Sequence, residues 1–238
     1  MDFVYCNYLG RSAIFMSPKA HRYVAFFDLD DTILNTSSGK LFIEYSFKNS
    51  MYSPLEILGG VAVGFAYSLG MVRTEEVIRK WAMKYKGWLE QDLVDFSDKL
   101  FDDVVKDHIR NEMVEEIETH KSAGARVVIL SASTPYICRP VQRHLEMHDL
   151  LCTQLETSGK VLTGQLSGPY VYGPQKQHYA HKYCIDHGFE PAEAYYYGDS
   201  YADRFVLDHV GNAVCVFPDP RLEKIAVEKN WRVLKGVE

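Results

Sequence analysis

Asp28 and Asp30 stand one residue apart at the end of an apolar run, Tyr23-Val24-Ala25-Phe26-Phe27, in the string Phe27-Asp28-Leu29-Asp30-Asp31-Thr32. In extended backbone, side chains two residues apart share a side, so both carboxylates would point the same way. Acids crowded at a buried strand end are costly unless a cation or a base neutralises them. A second pair lies in Gly198-Asp199-Ser200-Tyr201-Ala202-Asp203, directly after the run Ala194-Tyr195-Tyr196-Tyr197. A helix starting after Ser200 would place Asp203 in its first turn, pointing back toward Asp199. Between these pairs, Arg126-Val127-Val128-Ile129-Leu130 ends in Ser131-Ala132-Ser133-Thr134-Pro135. Thr134 fits a helix cap and Pro135 the first helical position. Hydroxyls and free amides at such a helix start suit an anion. Lys176, in the loop-like run Gly173-Pro174-Gln175-Lys176, supplies a point charge. Together these groups suit metal-assisted phosphoryl transfer.

Three strands must bring them to one edge. The apolar runs have the composition of buried parallel strands, and the later alternation of strands and helices predicts an α/β, doubly wound, mainly parallel Rossmann-like core. Ligands of such sheets bind beyond the carboxyl ends of the strands. A helical pattern over Asn111–Ser122 feeds the strand that ends at Ser131, with Gly124 where a helix-terminating glycine is expected. From about Thr36 to Lys106 the pattern is helical, as in Glu75-Glu76-Val77-Ile78-Arg79-Lys80-Trp81. The reading is an all-helical insertion, residues 36–106, capping a core made of 21–35 and 107–238. Residues 1–20 form an N-terminal extension, with Met16 an alternative start.

The same residues, in the same order, resemble the haloacid dehalogenase-like superfamily of phosphohydrolases, and within it the phosphoserine-phosphatase-like branch. The resemblance runs from about Tyr23 to about Pro218. Asp-x-Asp-x-Thr after an apolar strand and Gly-Asp-Ser-x-x-Asp after a late one are its specific parts; the hydroxyl at Ser131 and the lone Lys176 are weaker. Gly159-Lys160-Val161-Leu162-Thr163-Gly164 also looks like the hairpin that this branch carries before its lysine. The resemblance implies that Asp28 attacks phosphorus in line and forms an aspartyl-phosphate. Asp30 then acts as general acid and base. Mg2+ would be held by the carboxylates of Asp28 and Asp199 and the backbone carbonyl of Asp30. Ser131 and Ala132 would meet the phosphoryl oxygens and Lys176 would offset charge. Asp203 would orient Lys176 or a metal-bound water. Thr32 fixes the turn after the strand, and Asp31 faces solvent.

Departures from that branch bear on the substrate. Phosphoserine phosphatases have a glutamate nine residues after the nucleophile for the substrate ammonium, and this chain has Ser37. They follow the motif serine with two glycines, where this chain has Ala132 and Ser133. Their asparagine before the final aspartate is Ala202 here. The set implied to do the chemistry is intact and the amino-acid-recognising set is not, so phosphoserine is disfavoured.

Composition narrows the classes further. At 238 residues and 47% hydrophobic the chain can form one sizeable core and a small appended domain. A net charge of −6, without a basic block, argues against nucleic acid. Five widely spaced cysteines without a Cys-x-x-Cys pair read as reduced thiols of a cytoplasmic protein, and the first fifteen residues lack a signal peptide's basic start. Ile57 to Val72 carries no charge but has four glycines, and falls short of the ~20 residues that span a bilayer. It reads as a helix buried within the cap, in preference to a surface for a lipid-like leaving group or a membrane.

Other candidates have plainer readings. His144 and His148, with Glu146 between them, read as a solvated helix face, and His178 and His181 as a surface helix. Asp102-Asp103 reads as charged surface and Tyr195–Tyr197 as strand packing. Gly59-Gly60 has no phosphate-loop context. Tyr45, Lys48, Arg73 and Trp81 are candidate substrate contacts by cap position alone. The sequence thus predicts a Mg2+-dependent phosphomonoester hydrolase for a small-molecule phosphate ester. Its rivals are a phosphotransferase, a phosphatase for a lipid-like phosphate, and a non-catalytic phospho-ligand binder.

Overall fold

Side-chain alternation explains how one sheet is buried on both faces. The computed structural model describes residues 21–49 and 74–235. The expectations for residues 1–20, Cys6, Gly59-Gly60, Ile57–Val72 and Arg73 lie outside them. At the centre is β1 (Val24–Phe27), flanked by β2 (Arg126–Ser131) and β6 (Tyr195–Gly198). With β3 (Asp149–Cys152), β7 (Asn212–Val216) and β8 (Arg232–Leu234), the order is β3-β2-β1-β6-β7-β8. Every adjacent pair is parallel. Phe27 pairs with Ile129 on one side and Tyr197 on the other. All four residues of β1 are fully buried, as a central parallel strand requires.

Alternate residues separate into two apolar clusters. Ala25, Phe27, Val127, Ile129, Tyr197 and Val214 face one; Val24, Phe26, Val128, Leu130, Tyr196 and Cys215 face the other. The first face packs on helices made before β3, through Met113 and Ile117 of the helix Asn111–Ser122 and Ile137 and Val141 of the helix Pro135–His144. The second packs on Pro174–His187 and Pro220–Lys229, through Ala180, Tyr183, Leu222 and Ala226. The chain thus winds one way from β1 to β3 and the other way from β6 to β8. The switch lies between β1 and β6, where doubly wound sheets place their ligands. As expected, Asn111–Ser122 is a helix, and Gly124 follows it at φ +79°, the conformation glycine adopts without strain.

Among the described residues, three α-helices stand between β1 and Asn111: α1 (Ser38–Lys48), α2 (Thr74–Met83) and α3 (Glu90–Asp103). Their Leu41, Phe42, Tyr45, Ala82, Leu93 and Leu100, and Tyr85 in the turn after α2, belong to the same apolar cluster as Phe27 and Ile129. Among the described residues, then, these helices have no apolar centre separate from that of the sheet. A hairpin of β4 (Leu155–Ser158) and β5 (Val161–Leu166) ties them down as well. Gly87 donates to the Leu162 carbonyl, Leu162 to that of Trp88, and Glu90 to that of Lys160, each at 2.9 Å. The segment after α2 therefore turns alongside β5 and meets it in one antiparallel bridge, Leu89 to Val161.

Several polar candidates settle into structural roles. The helix after Ser131 stops at His144, and Glu146 turns the chain at φ 47° so that it can enter β3. His148 instead accepts the Val127 amide at 3.1 Å, so His144 and His148 do not share a helix face. His181 sits 3.1 Å from His209 on the surface. Tyr45 is buried and donates to Asp103 at 2.5 Å, while Trp81 packs edge-on against Tyr85. Both are committed to packing between helices. Cys138, Cys152, Cys184 and Cys215 are buried free thiols. Among the described residues no helix is long and apolar enough to cross a membrane.

Candidate active site

β1 ends by delivering Asp28 to the open edge of the sheet. Its amide donates to the Tyr197 carbonyl at 2.9 Å, continuing the ladder one residue past the strand. The chain then leaves in one wide helical turn, Leu29–Ile33, interrupted by extended Asp30 and by Asp31 at φ 54°. This turn sends the two expected partners to different places. Asp28 is buried, with Oδ1 accepting the Leu29 amide at 2.8 Å and Oδ2 lying 2.9 Å from Lys176 Nζ. Asp30 accepts the Ser38 amide at 2.5 Å through Oδ1 and the Ser133 hydroxyl at 2.8 Å through Oδ2. Asp31 is exposed, as expected.

β6 delivers the opposing acids. Carboxylate oxygens of Asp28, Asp199 and Asp203 all lie within 4.8 Å of one another. Asp30 contributes no carboxylate to that group. Thr32 donates its hydroxyl to Asp199 at 3.1 Å, so it fixes an acid as well as a turn. A 3-10 turn, Tyr201–Asp203, begins after Ser200, and Asp203 closes it by accepting both the amide and the hydroxyl of Ser200. Its other oxygen faces Lys176 at 2.7 Å. Gly198 makes this approach feasible, because a Cβ there would lie 2.7 Å from the Tyr196 ring and 3.0 Å from Asp203.

Lys176 corrects the sequence reading in place and in setting. It lies in the first turn of the helix Pro174–His187, not in a loop, and is 3% exposed. Pro174 at the helix start favours this over an open loop. Buried ammonium groups survive only with close partners. Lys176 has Asp28, Asp203 and the Tyr196 hydroxyl, the last at 3.1 Å. Sequence reasoning took the tyrosine run for packing alone and passed over Ser133. A buried phenol needs a hydrogen-bond partner, which was the available signal for Tyr196. Ser131 is fully buried at the end of β2 and accepts the Ser133 amide at 3.1 Å. Half-buried Ala132 lies between them, and Thr134 and Pro135 open the following helix as expected.

The charges do not balance without help. Burial pushes the Asp28 carboxyl up to about 7, against the pull of Lys176. Burial, then the charges of Asp28 and Asp203, push Asp199 up to about 8. For Asp203 burial is outweighed by Lys176 and the hydrogen bonds, which hold its carboxyl below the usual range. Burial also opposes the charged form of Lys176, but Asp203 and Asp28 prevail and raise it well above the ordinary lysine value. Were all three carboxylates ionised, one ammonium would leave two negative charges uncompensated, which is why burial holds protons on Asp28 and Asp199. An all-oxygen set with that surplus fits a hard divalent cation.

A doubly wound parallel sheet with these acids at its switch point is a Rossmann-like α/β scaffold, and comparison with known proteins gives its family. The haloacid dehalogenase-like hydrolase family matches residues 25–208, and the chain belongs to it. The relatives it matches include proteins named as phosphatases. The chain is 29% identical to phosphoserine phosphatase SerB1 of Mycobacterium tuberculosis over 214 residues, covering 88% of this chain and 69% of that protein. It is 26% identical to a histidinol-phosphatase of Neisseria meningitidis, covering 89% of this chain and 97% of that protein. A protein of unknown function from Bordetella pertussis has the same fold, with a TM-score of 0.84 at 22% identity, over 90% of this chain and 99% of that one.

Proposed function

We propose that this protein is a phosphatase that hydrolyses a small phosphate monoester through an aspartyl-phosphate on Asp28, with Mg2+ as cofactor. The observation that carries the reading is the setting of Asp28. It is a buried carboxylate anchored by the Leu29 amide and Lys176, opposite Asp199, at the open end of the central strand. Such anchoring fixes a nucleophile's direction before substrate arrives.

The chain's own residues divide the work. Asp28 attacks phosphorus, and Lys176 moderates the charge that builds on the nucleophile and the transferring group. Asp30 protonates the leaving oxygen and later takes a proton from the attacking water; Ser133 and the Ser38 amide hold its carboxylate in place. Ser131 and Ala132 supply the phosphoryl-binding loop. Asp28 and Asp199, with the backbone carbonyl of Asp30, would hold Mg2+, which when bound supplies positive charge at the phosphoryl oxygens. The helices α1 to α3 serve as a cap over the strand ends.

For the substrate, relatives of similar identity carry different ones in their names, phosphoserine and histidinol phosphate. Likeness at this level therefore does not choose between them. Ser37, at the N-cap of α1, occupies the position of the ammonium-binding glutamate of phosphoserine phosphatases and bears no charge. A phosphorylated alcohol other than phosphoserine follows from that residue. The test is phosphate release from amino-acid, amino-alcohol, sugar, nucleotide and lysolipid phosphates, with Mg2+, with EDTA and with Asp28→Asn. Metal-dependent turnover lost in Asp28→Asn supports the reading. Turnover that survives in Asp28→Asn or in EDTA overturns it.

A further inference from the structure

The hydroxyl of Tyr196 closes a ring of hydrogen bonds around the charge pair Lys176–Asp203. It donates to Asp203 Oδ1 at 2.6 Å and accepts from Lys176 Nζ at 3.1 Å, while Nζ donates to the same Oδ1 at 2.7 Å. Tyr196 is fully buried and sits on the face of β6 opposite Tyr197. An ammonium has three hydrogens; two have acceptors in Asp203 Oδ1 and the Tyr196 hydroxyl, and the charge pairs with Asp28 Oδ2 at 2.9 Å. Both acceptors come from β6 and the turn that follows it. Held by these two, the ammonium sits beside the Asp28 carboxylate.

We propose that Tyr196 is a positioning residue for the reaction, acting through Lys176 to aim its ammonium at the Asp28 carboxylate. This rests on the assignment of Asp28 as nucleophile. Tyr196 touches neither Asp28 nor any group that meets substrate other than Lys176, so its effect falls on the chemical step and not on substrate capture. Without the phenol oxygen, one N–H of a buried ammonium has no acceptor. The lysine then turns to find one, at the expense of its alignment with Asp28.

Tyr196→Phe keeps the ring and removes the one oxygen. Tyr197→Phe is the matched control: its phenol is also buried and bonded, to Glu116 at 2.6 Å and His120 at 2.8 Å, but on the other face of the sheet. The expected result is a kcat lowered about tenfold in Tyr196→Phe, the order set by losing a hydrogen bond to a charged group. KM stays within about twofold, and Tyr197→Phe keeps its kcat. A wild-type kcat in Tyr196→Phe overturns the proposal, as does a kcat loss of equal size in both variants. If Tyr196→Phe does not fold, 3-fluorotyrosine placed at 196 alone keeps both hydrogen bonds and strengthens the donor; an unchanged kcat there also counts against the proposal. Turnover that survives in Asp28→Asn would instead remove the reading on which it rests, so the two failures are distinguishable.

Discussion

The Ser133 hydroxyl donates to the Asp30 carboxylate at 2.8 Å, joining the loop after β2 to the turn after β1. Ser133 also meets the Ser38 hydroxyl at 3.0 Å, at the start of α1. One serine therefore couples the proposed acid–base group to the phosphoryl-binding loop and to the helical insertion. Ser133→Ala should lower kcat roughly tenfold, the order expected for a lost hydrogen bond to a charged acceptor. Steady-state kinetics would check it, and a kcat equal to wild type would refute the coupling.

Asp28 and Asp30 should separate in metal binding. Asp30→Asn should cost on the order of a hundredfold or more in kcat, as for loss of a general acid–base. It should leave Mg2+ affinity nearly intact, because its carboxylate faces Ser38 and Ser133 and not the acidic cluster. Asp28→Asn should abolish turnover and weaken Mg2+ binding together. Calorimetric titration of both variants decides this; equal loss of affinity in the two would contradict the geometry.

The acidic cluster also predicts how stability follows pH in the absence of metal. The carboxyls of Asp28 and Asp199 titrate at about 7 and about 8 in the folded chain, against 3.8 when unperturbed. The folded state thus holds extra protons across that interval, and stability must fall as pH rises through it. In EDTA, the denaturant midpoint should be lower at about pH 8.5 than at about pH 6. Mg2+ displaces those protons, so the stabilisation it gives should grow with pH. A midpoint in EDTA that rises with pH would show that these carboxyls are ionised throughout.

Gly198→Ala should damage fold and site at once. The added methyl meets the Tyr196 ring at 2.7 Å and Asp203 at 3.0 Å. Overpacking of this kind costs about 1–3 kcal/mol, readable as a lower melting temperature. Because both clashing residues hold Lys176, kcat should fall as well. A variant with wild-type melting and wild-type kcat would mean that the strand end yields without disturbing them.

The positions of Asp28, Ser131 and Asp199 were legible because each follows an apolar run that stops abruptly at polar residues, a local pattern needing no knowledge of the rest. The sheet followed from the same runs, and Asn111–Ser122 from its period and Gly124. Lys176 reads from the sequence as part of a loop but lies in a helix, since Gly173-Pro174 opens a helix as readily as it breaks one. Tyr196 and Ser133 were missed because their roles depend on groups brought in from elsewhere in the chain. Tyr196 reaches residues on a helix that precedes its strand, and Ser133 reaches across from β2 to β1. The shared apolar cluster of insertion and core had a similar origin: nothing in the spacing of Phe42 or Leu93 says which partner their helices will cover.

The order of strands has a consequence for how the protein is made. Of the described strands β1 emerges first from the ribosome, but its neighbour β6 is separated from it by the whole insertion, two other sheet strands and the hairpin. Until residue 195 has been synthesised, one edge of β1 has no partner, and Asp28 has neither Asp199 nor Asp203 beside it. A nascent chain cannot assemble the acidic cluster early, however complete its first half. Meanwhile the bare edge of β1 is an unpaired strand edge of the kind that invites mispairing during synthesis.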